Sequence, residues 1–200
     1  MRKKTICIPI FLVLFSFCWL AGPAASAATR NESRSGGQPT IDVARLEMRI
    51  HDLINQERKN AGLPPLAWSQ PLQQIARNYS QDMATRNFFS HVDPEGRNFV
   101  QRYRRAGFKC AVRTGFFFGI RTNLGGENIA YNHLSSAIVH RKGQTMTSGE
   151  AEEQFAAAVV RQWMTSSSHR QNILTRHYRR EGIGVAIRQG GKVLITQNFC

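Results

Sequence analysis

Trp163-Met164-Thr165-Ser166-Ser167-Ser168-His169-Arg170-Gln171-Asn172-Ile173-Leu174 is the stretch on which the reading of this 200-residue chain turns. Trp163 ends a helical pattern, and three serines then lead to a histidine. Taken alone, His169 reads as a helix-start residue and the serines as capping chemistry. Two further strings lie upstream. Phe89-Ser90-His91-Val92-Asp93-Pro94-Glu95-Gly96 sets a histidine on a turn that leaves an apolar segment. Gly125-Gly126-Glu127-Asn128-Ile129-Ala130 sets a glutamate after two glycines, where backbones can approach closely.

Outward from these strings, hydrophobic periodicity assigns the elements. Val43, Leu46, Ile50, Leu53 and Ile54 predict a first helix over 41–60, with Thr40 as its cap and Gly62 and Pro64 ending it. The connection 63–68 reads as extended. Leu72, Ile75, Ala76, Tyr79 and Met83 form the buried stripe of a second helix, capped by Ser69 with Pro71 in its first turn. A short third helix carries Phe99, Val100 and Tyr103 and stops at Gly107. A fourth opens on Thr147-Ser148-Gly149-Glu150, a capping-box pattern, and runs through Phe155, Val159 and Trp163. Ile183, Val185 and Ile187 alternate with Gly184, Ala186 and Arg188, and Gly190-Gly191 turns the chain back through Val193 and Ile195. Residues 108–126, with Phe116-Phe117-Phe118 between glycines, suggest a strand and a loop feeding the Gly-Glu-Asn string. Residues 133–149 read as a loop insertion. Helices followed by antiparallel strands make an α+β domain with segregated layers.

The N-terminus is a targeting segment. Arg2, Lys3 and Lys4 precede an apolar run from Ile6 to Leu20 and an Ala25-Ser26-Ala27 cleavage pattern, so residues 1–27 read as a signal peptide. Residues 28–40 are a polar, flexible lead-in, and the folded domain is expected over 41–200. Export places the protein outside the cytoplasm, in the periplasm, the envelope or the medium. Cys7 and Cys18 leave with the signal, and Cys110 and Cys200 remain. An oxidising compartment and a cysteine at the last position favour one disulfide over two buried thiols. Removing the three signal-peptide cations takes the formal net charge from +14 to about +11. An exported basic protein meets anionic lipid or wall polymer sooner than nucleic acid, so no nucleic-acid partner is expected. A basic surface without a specific partner stands beside that reading. Arg102, Arg104 and Arg105 cluster on the third helix, where such residues face solvent, and His51, His133, His140 and His177 read as surface residues.

In this order and at this spacing, the three strings resemble the CAP superfamily (cysteine-rich secretory proteins, antigen 5, pathogenesis-related 1), and most closely its bacterial secreted branch. The resemblance covers 41–199. It implies a three-layer α-β-α sandwich with an antiparallel central sheet. It also implies that His91, Glu127 and His169 line one cleft, while Asn128 and Asn172 read as residues that hold loop backbones and Trp163 as core. The family's fuller pattern has a second acid three positions after the tryptophan. Here that position is Ser166, which leaves one carboxylate and weakens a two-carboxylate hydrolytic mechanism.

Two imidazoles and a carboxylate support three chemistries. His91 and His169 can ligate Zn²⁺ or another divalent cation, as the matching histidines do in some members. A histidine can act as acid or base with Glu127 orienting it. Glu127 can also simply tie segments together. The chain has no G-x-S-x-G elbow and no H-E-x-x-H helix, and the serines beside His169 have no adjacent acid. Three functions follow. The leading one is a secreted binding module for a lipid, sterol-like or anionic envelope ligand, with peripheral membrane or wall association. The others are a metal-assisted hydrolase of peptide or ester bonds and an extracellular protein-interaction domain with a vestigial cleft.

Overall fold

Helix α1 spans Val43–Asn60, and its cap is Asp42 rather than Thr40. The Asp42 carboxylate accepts from the amides of Ala44 and Arg45, placing a full negative charge on the positive end of the helix. The computed structural model describes residues 40–114, 121–134 and 147–200. The expected signal segment, most of the expected lead-in, the Phe116–Phe118 run and residues 135–146 of the 133–149 segment lie outside the described residues. Helix α2 spans Gln70–Arg86 and ends where Asn87 turns left-handed at φ 56°. Helix α3 spans Phe99–Arg105 behind an Asn98–Gln101 capping box. Helix α4, Ser148–Thr165, opens on the Thr147–Glu150 capping box, and helix α5 follows over Ser167–Ile173. Ser166, extended at φ −89° and ψ 123°, is the break between them, and its side chain makes no cap bond.

The strands are β1 (Ala67–Trp68), β2 (Val112–Thr114), β3 (Arg121–Asn123), β4 (Gly126–His133), β5 (Arg180–Ile187) and β6 (Lys192–Phe199). Four form one sheet in the order β1-β5-β6-β4, and β2 and β3 pair separately. The β5–β6 and β4–β6 pairs are antiparallel, as expected, whereas β1 adds to β5 in parallel and makes the sheet mixed. The Gly-Glu-Asn string is itself the start of edge strand β4.

Helices cover both faces. On one face Leu46, Ile50 and Ile54 of α1 meet Phe155, Val159 and Trp163 of α4 over Ile183, Val185 and Ile195. On the other, Tyr79, Met83 and Ala84 of α2 pack on Ile129, Ala186 and Leu194. The small residues of β5 explain how close α2 lies. A Cβ at Gly182 or Gly184 would collide with α2 backbone at Leu72–Gln73 or Ala76–Arg77. The alternation along β5 is therefore a large face under α1 and a flat face under α2, not a half-exposed hairpin.

Cys110 and Cys200 are disulfide-bonded with Cα atoms 5.6 Å apart, beside Leu72, Ile75 and Tyr103. The bridge ties the segment before β2 to the end of the central strand β6.

His51 is buried rather than exposed. Its Nδ1 lies 2.6 Å from Oε1 of Glu181, itself fully buried. Hydrophobic periodicity cannot anticipate this, because the carboxylate that holds the ring is 130 residues away. No helix among the described residues is long and apolar enough to cross a membrane.

Candidate functional site

Three elements converge at the start of β4. The turn after α2 supplies His91, β4 supplies Glu127, and α5 supplies His169. Gly125 sits at φ +103°, where a Cβ would strike the Phe199 carbonyl, and a Cβ on Gly126 would strike the Tyr178 hydroxyl. The two glycines therefore let β4 enter the sheet against α5 and the C-terminal strand.

Glu127 is the centre of the site, with its side chain 1% exposed. His91 Nδ1 lies 2.9 Å from Oε1, and Arg102 Nη2 donates to Oε2 at 2.6 Å. Arg102, expected to face solvent, has a side chain only 10% exposed. Its guanidinium stacks 3.4 Å from the Tyr79 ring centroid and also donates to the Arg97 and His91 carbonyls. Tyr79 in turn donates its hydroxyl to the Ser90 carbonyl, fixing the turn that carries His91. Burial pushes the Tyr79 phenol up to about 12, against the opposing pull of Arg102, so it stays a donor at neutral pH.

The rest of that turn is braced separately. Asp93 is buried. Burial alone would raise its carboxyl, but bonds from the Arg97 side chain and backbone prevail and hold it below the usual range.

His169 faces the same site from α5. Partial burial lowers its imidazole, and the nearby His91 lowers it further. Its Nδ1 is buried with no hydrogen-bond partner among the described residues. Asn128 donates to the His169 carbonyl at 3.2 Å and to Gln197 Oε1 at 3.0 Å. Asn172 donates to the Glu127 carbonyl at 3.2 Å and to Asn128 Oδ1 at 2.8 Å. The two asparagines thus lock α5 to β4, although Asn128 does so from a strand rather than a loop. Trp163 is fully buried and donates Nε1 to the Ile129 carbonyl. Ser166 Oγ lies 3.3 Å from Ser168 Oγ.

The geometry brings His91, Glu127 and His169 to one place with unequal support. His91 has its Nδ1 on a carboxylate, which sets the tautomer and turns Nε2 outward. Metal-binding histidines carry such a partner. His169 lacks that partner. Among the described residues no group of three or more His, Cys, Asp or Glu side chains is placed to hold a metal ion. A divalent cation would therefore rest on the two imidazoles, with water completing the shell. Arg102 is the site residue whose burial periodicity missed, while Tyr79, expected in the buried stripe of α2, is buried as expected and has a site role that periodicity does not show. The available signal was that Arg102 lies three residues after Phe99, bordering the apolar stripe of α3.

Comparison with known proteins bears on the family and the fold. The profile of the cysteine-rich secretory protein family, CAP, matches residues 51–199. The Bacillus subtilis protein YkwD is 30% identical over 172 residues, covering 86% of this chain and 53% of its own length. The Bacillus subtilis membrane protein YlbC is 30% identical over 153 residues, covering 76% of this chain and 34% of its own. The chain thus spans about half or less of these relatives. An extracellular SCP-domain protein from Bacillus anthracis superposes with a TM-score of 0.56 at 28% identity, over 78% of this chain and 40% of that one. An outer surface protein of Borrelia burgdorferi gives 0.56 at 16% identity, over 82% and 97%, a likeness of fold alone.

Proposed function

Since this chain belongs to the cysteine-rich secretory protein family, we propose that it works outside the cytoplasm as a binding module for a lipid or anionic envelope component. The observation that carries this reading is the state of Glu127. Its two oxygens are bonded to His91 and Arg102, and its side chain is 1% exposed. A general base needs a lone pair aimed at water or substrate, and a carboxylate bonded in this way is a brace instead. With Ser166 in place of a second acid, a hydrolytic pair has no second member. On this reading the cleft serves recognition, with the half-exposed His91, oriented by Glu127, as its polar group. The extracellular description of the Bacillus anthracis protein and the membrane description of YlbC agree with an envelope setting. The test is organic extraction of protein purified from its native envelope, analysed by mass spectrometry, alongside sedimentation with anionic vesicles. Co-purifying lipid or vesicle binding supports the reading. Protein recovered empty, with no affinity for anionic lipid or wall polymer, overturns it.

A second reading has a specific observation behind it. The Glu127–His91 contact leaves His91 Nε2 free, and the lowered His169 keeps a neutral lone pair at pH 7. These two would hold a divalent cation such as Zn²⁺, which would supply a charged anchor for an anionic headgroup. Calorimetric titration with Zn²⁺, with His91→Ala/His169→Ala in parallel, tests it. Binding lost in the double variant supports a metal site, and no binding by either protein removes it.

A further inference from the structure

We propose that the end of the domain formed by the α2 C-terminus, β4 and the β5–β6 turn is a docking face for an anionic lipid bilayer. The inference rests on the lipid reading above and names the surface that would carry it.

Phe89, Val92 and Tyr131 are 40%, 45% and 46% exposed. Scattered exposed apolar residues are ordinary, but these are grouped. The Phe89 and Tyr131 rings meet edge-to-face with centroids 4.9 Å apart. The Lys192 ammonium sits 4.7 Å from the Tyr131 centroid, and Arg188 donates to the Asn87 side chain at the end of α2. The chain segments 87–92, 131–133 and 187–193 contain no Asp or Glu, while they carry Arg188 and Lys192.

That composition selects one occupant. Rings that present an apolar body at a polar boundary belong at the headgroup level of a bilayer. Arg188 and Lys192, in no ion pair among the described residues, are drawn to the negative surface potential of anionic lipid. A polyanionic polymer would need the cations but gains little from an exposed aromatic pair, so the aromatic pair favours a bilayer. His91 lies two residues after Phe89 on the same turn, so docking here would bring the cleft to the membrane surface.

The test uses protein beginning at residue 28, because 38–200 form a compact unit by themselves and the apolar leader would bind vesicles on its own account. Sedimentation compares mixed phosphatidylcholine and phosphatidylglycerol vesicles with phosphatidylcholine alone. Wild type is expected to bind the anionic vesicles preferentially, and less so as salt rises. Arg188→Gln/Lys192→Gln should lower binding about thirtyfold, from roughly one kcal/mol per cation near the surface. Removing equal charge elsewhere, with Lys59→Gln/Arg104→Gln, should lower it far less. Phe89→Ser/Tyr131→Ser should lower binding about tenfold or more, and Phe89→Leu/Tyr131→Phe should retain it. Thermal melting of each variant confirms folding. Binding that survives Phe89→Ser/Tyr131→Ser but falls with the cations overturns the aromatic docking face and leaves an attraction by charge alone. Binding unchanged in both double variants overturns the face while leaving lipid binding intact. Absence of binding by wild type fails the lipid reading itself.

Discussion

Replacing Arg102 with methionine tests the claim that this arginine is part of the site. The substitution keeps an unbranched apolar stem on α3 and removes the guanidinium. It leaves Glu127 Oε2, in a side chain 1% exposed, without its 2.6 Å partner. Breaking a buried ion pair by removing one member costs about 3–5 kcal/mol, because the remaining group stays desolvated. Two features place this case near the lower bound. Arg102 is 10% exposed, so water reaches the pair, and His91 still holds Oε1. Loss of the stack on Tyr79 adds about 1 kcal/mol. We therefore expect a loss of about 3–4 kcal/mol, or roughly 10 °C in melting temperature for a domain of this size. The assay is urea denaturation with the disulfide intact, read as a midpoint shift at unchanged slope. Glu127→Gln and the Arg102→Met/Glu127→Gln double variant complete a cycle, and the double variant should recover at least about 1 kcal/mol relative to the sum of the singles. An Arg102→Met protein within about 0.5 kcal/mol of wild type, the value for an ordinary surface arginine, would refute the reasoning.

Three other outcomes follow. His169 is lowered by burial and by His91. The folded state then binds fewer protons than the unfolded one, so stability rises with pH from the lowered folded midpoint up to the ordinary value of about 6.5. An NMR titration should place the His169 midpoint below that value, His91→Asn should raise it partway, and His169→Gln should flatten the slope of stability against pH. Gly184→Ala forces a Cβ into α2 backbone at Ala76–Arg77. It should cost about 1–3 kcal/mol or more, measured by chemical denaturation, with a neutral effect contradicting the close packing. Cys110→Ser/Cys200→Ser opens a closure spanning 90 residues. It should lower stability by about 4 kcal/mol in the chain-entropy account, and an unchanged melting temperature would contradict a structural role for the bridge.

The parts legible in the sequence are those set by local rules. The Thr147–Glu150 capping box, the α1 stripe of Leu46, Ile50 and Ile54, and the Gly190-Gly191 turn each depend on residues a few positions apart. The parts missed depend on partners far along the chain. His51 has polar neighbours on α1, and it is buried because Glu181 comes from β5. Arg102 sits in a basic run, and it is buried because α3 lies over the start of β4, a fact of topology. Thr40 lost the α1 cap to Asp42, whose carboxylate complements the helix dipole better than a hydroxyl does. The resemblance carried His91, Glu127 and His169 because a matched string encodes the topology that periodicity lacks. It did not carry Arg102, which lies outside the three strings.

The pairing of Glu127 with Asn128 has a physical reason within the sheet. Successive side chains on a strand point to opposite faces. Glu127 therefore turns towards α2 and α3, where it meets His91 and Arg102, while Asn128 turns towards α5 and the core side, where it meets Asn172 and Gln197. Gln197 continues the row to Glu181 at 2.6 Å, and Glu181 to His51 on α1. Because β4 is the edge strand of its sheet, the Glu127 carbonyl is open to Asn172 of α5 as well. An edge strand thus lets two adjacent residues fasten both helical layers at one point. The arrangement fixes the relative positions of His91 and His169 through β4. It also explains why a carboxylate at this position is spent on structure: Glu127 holds the turn after α2 in the way that Asn128 holds α5.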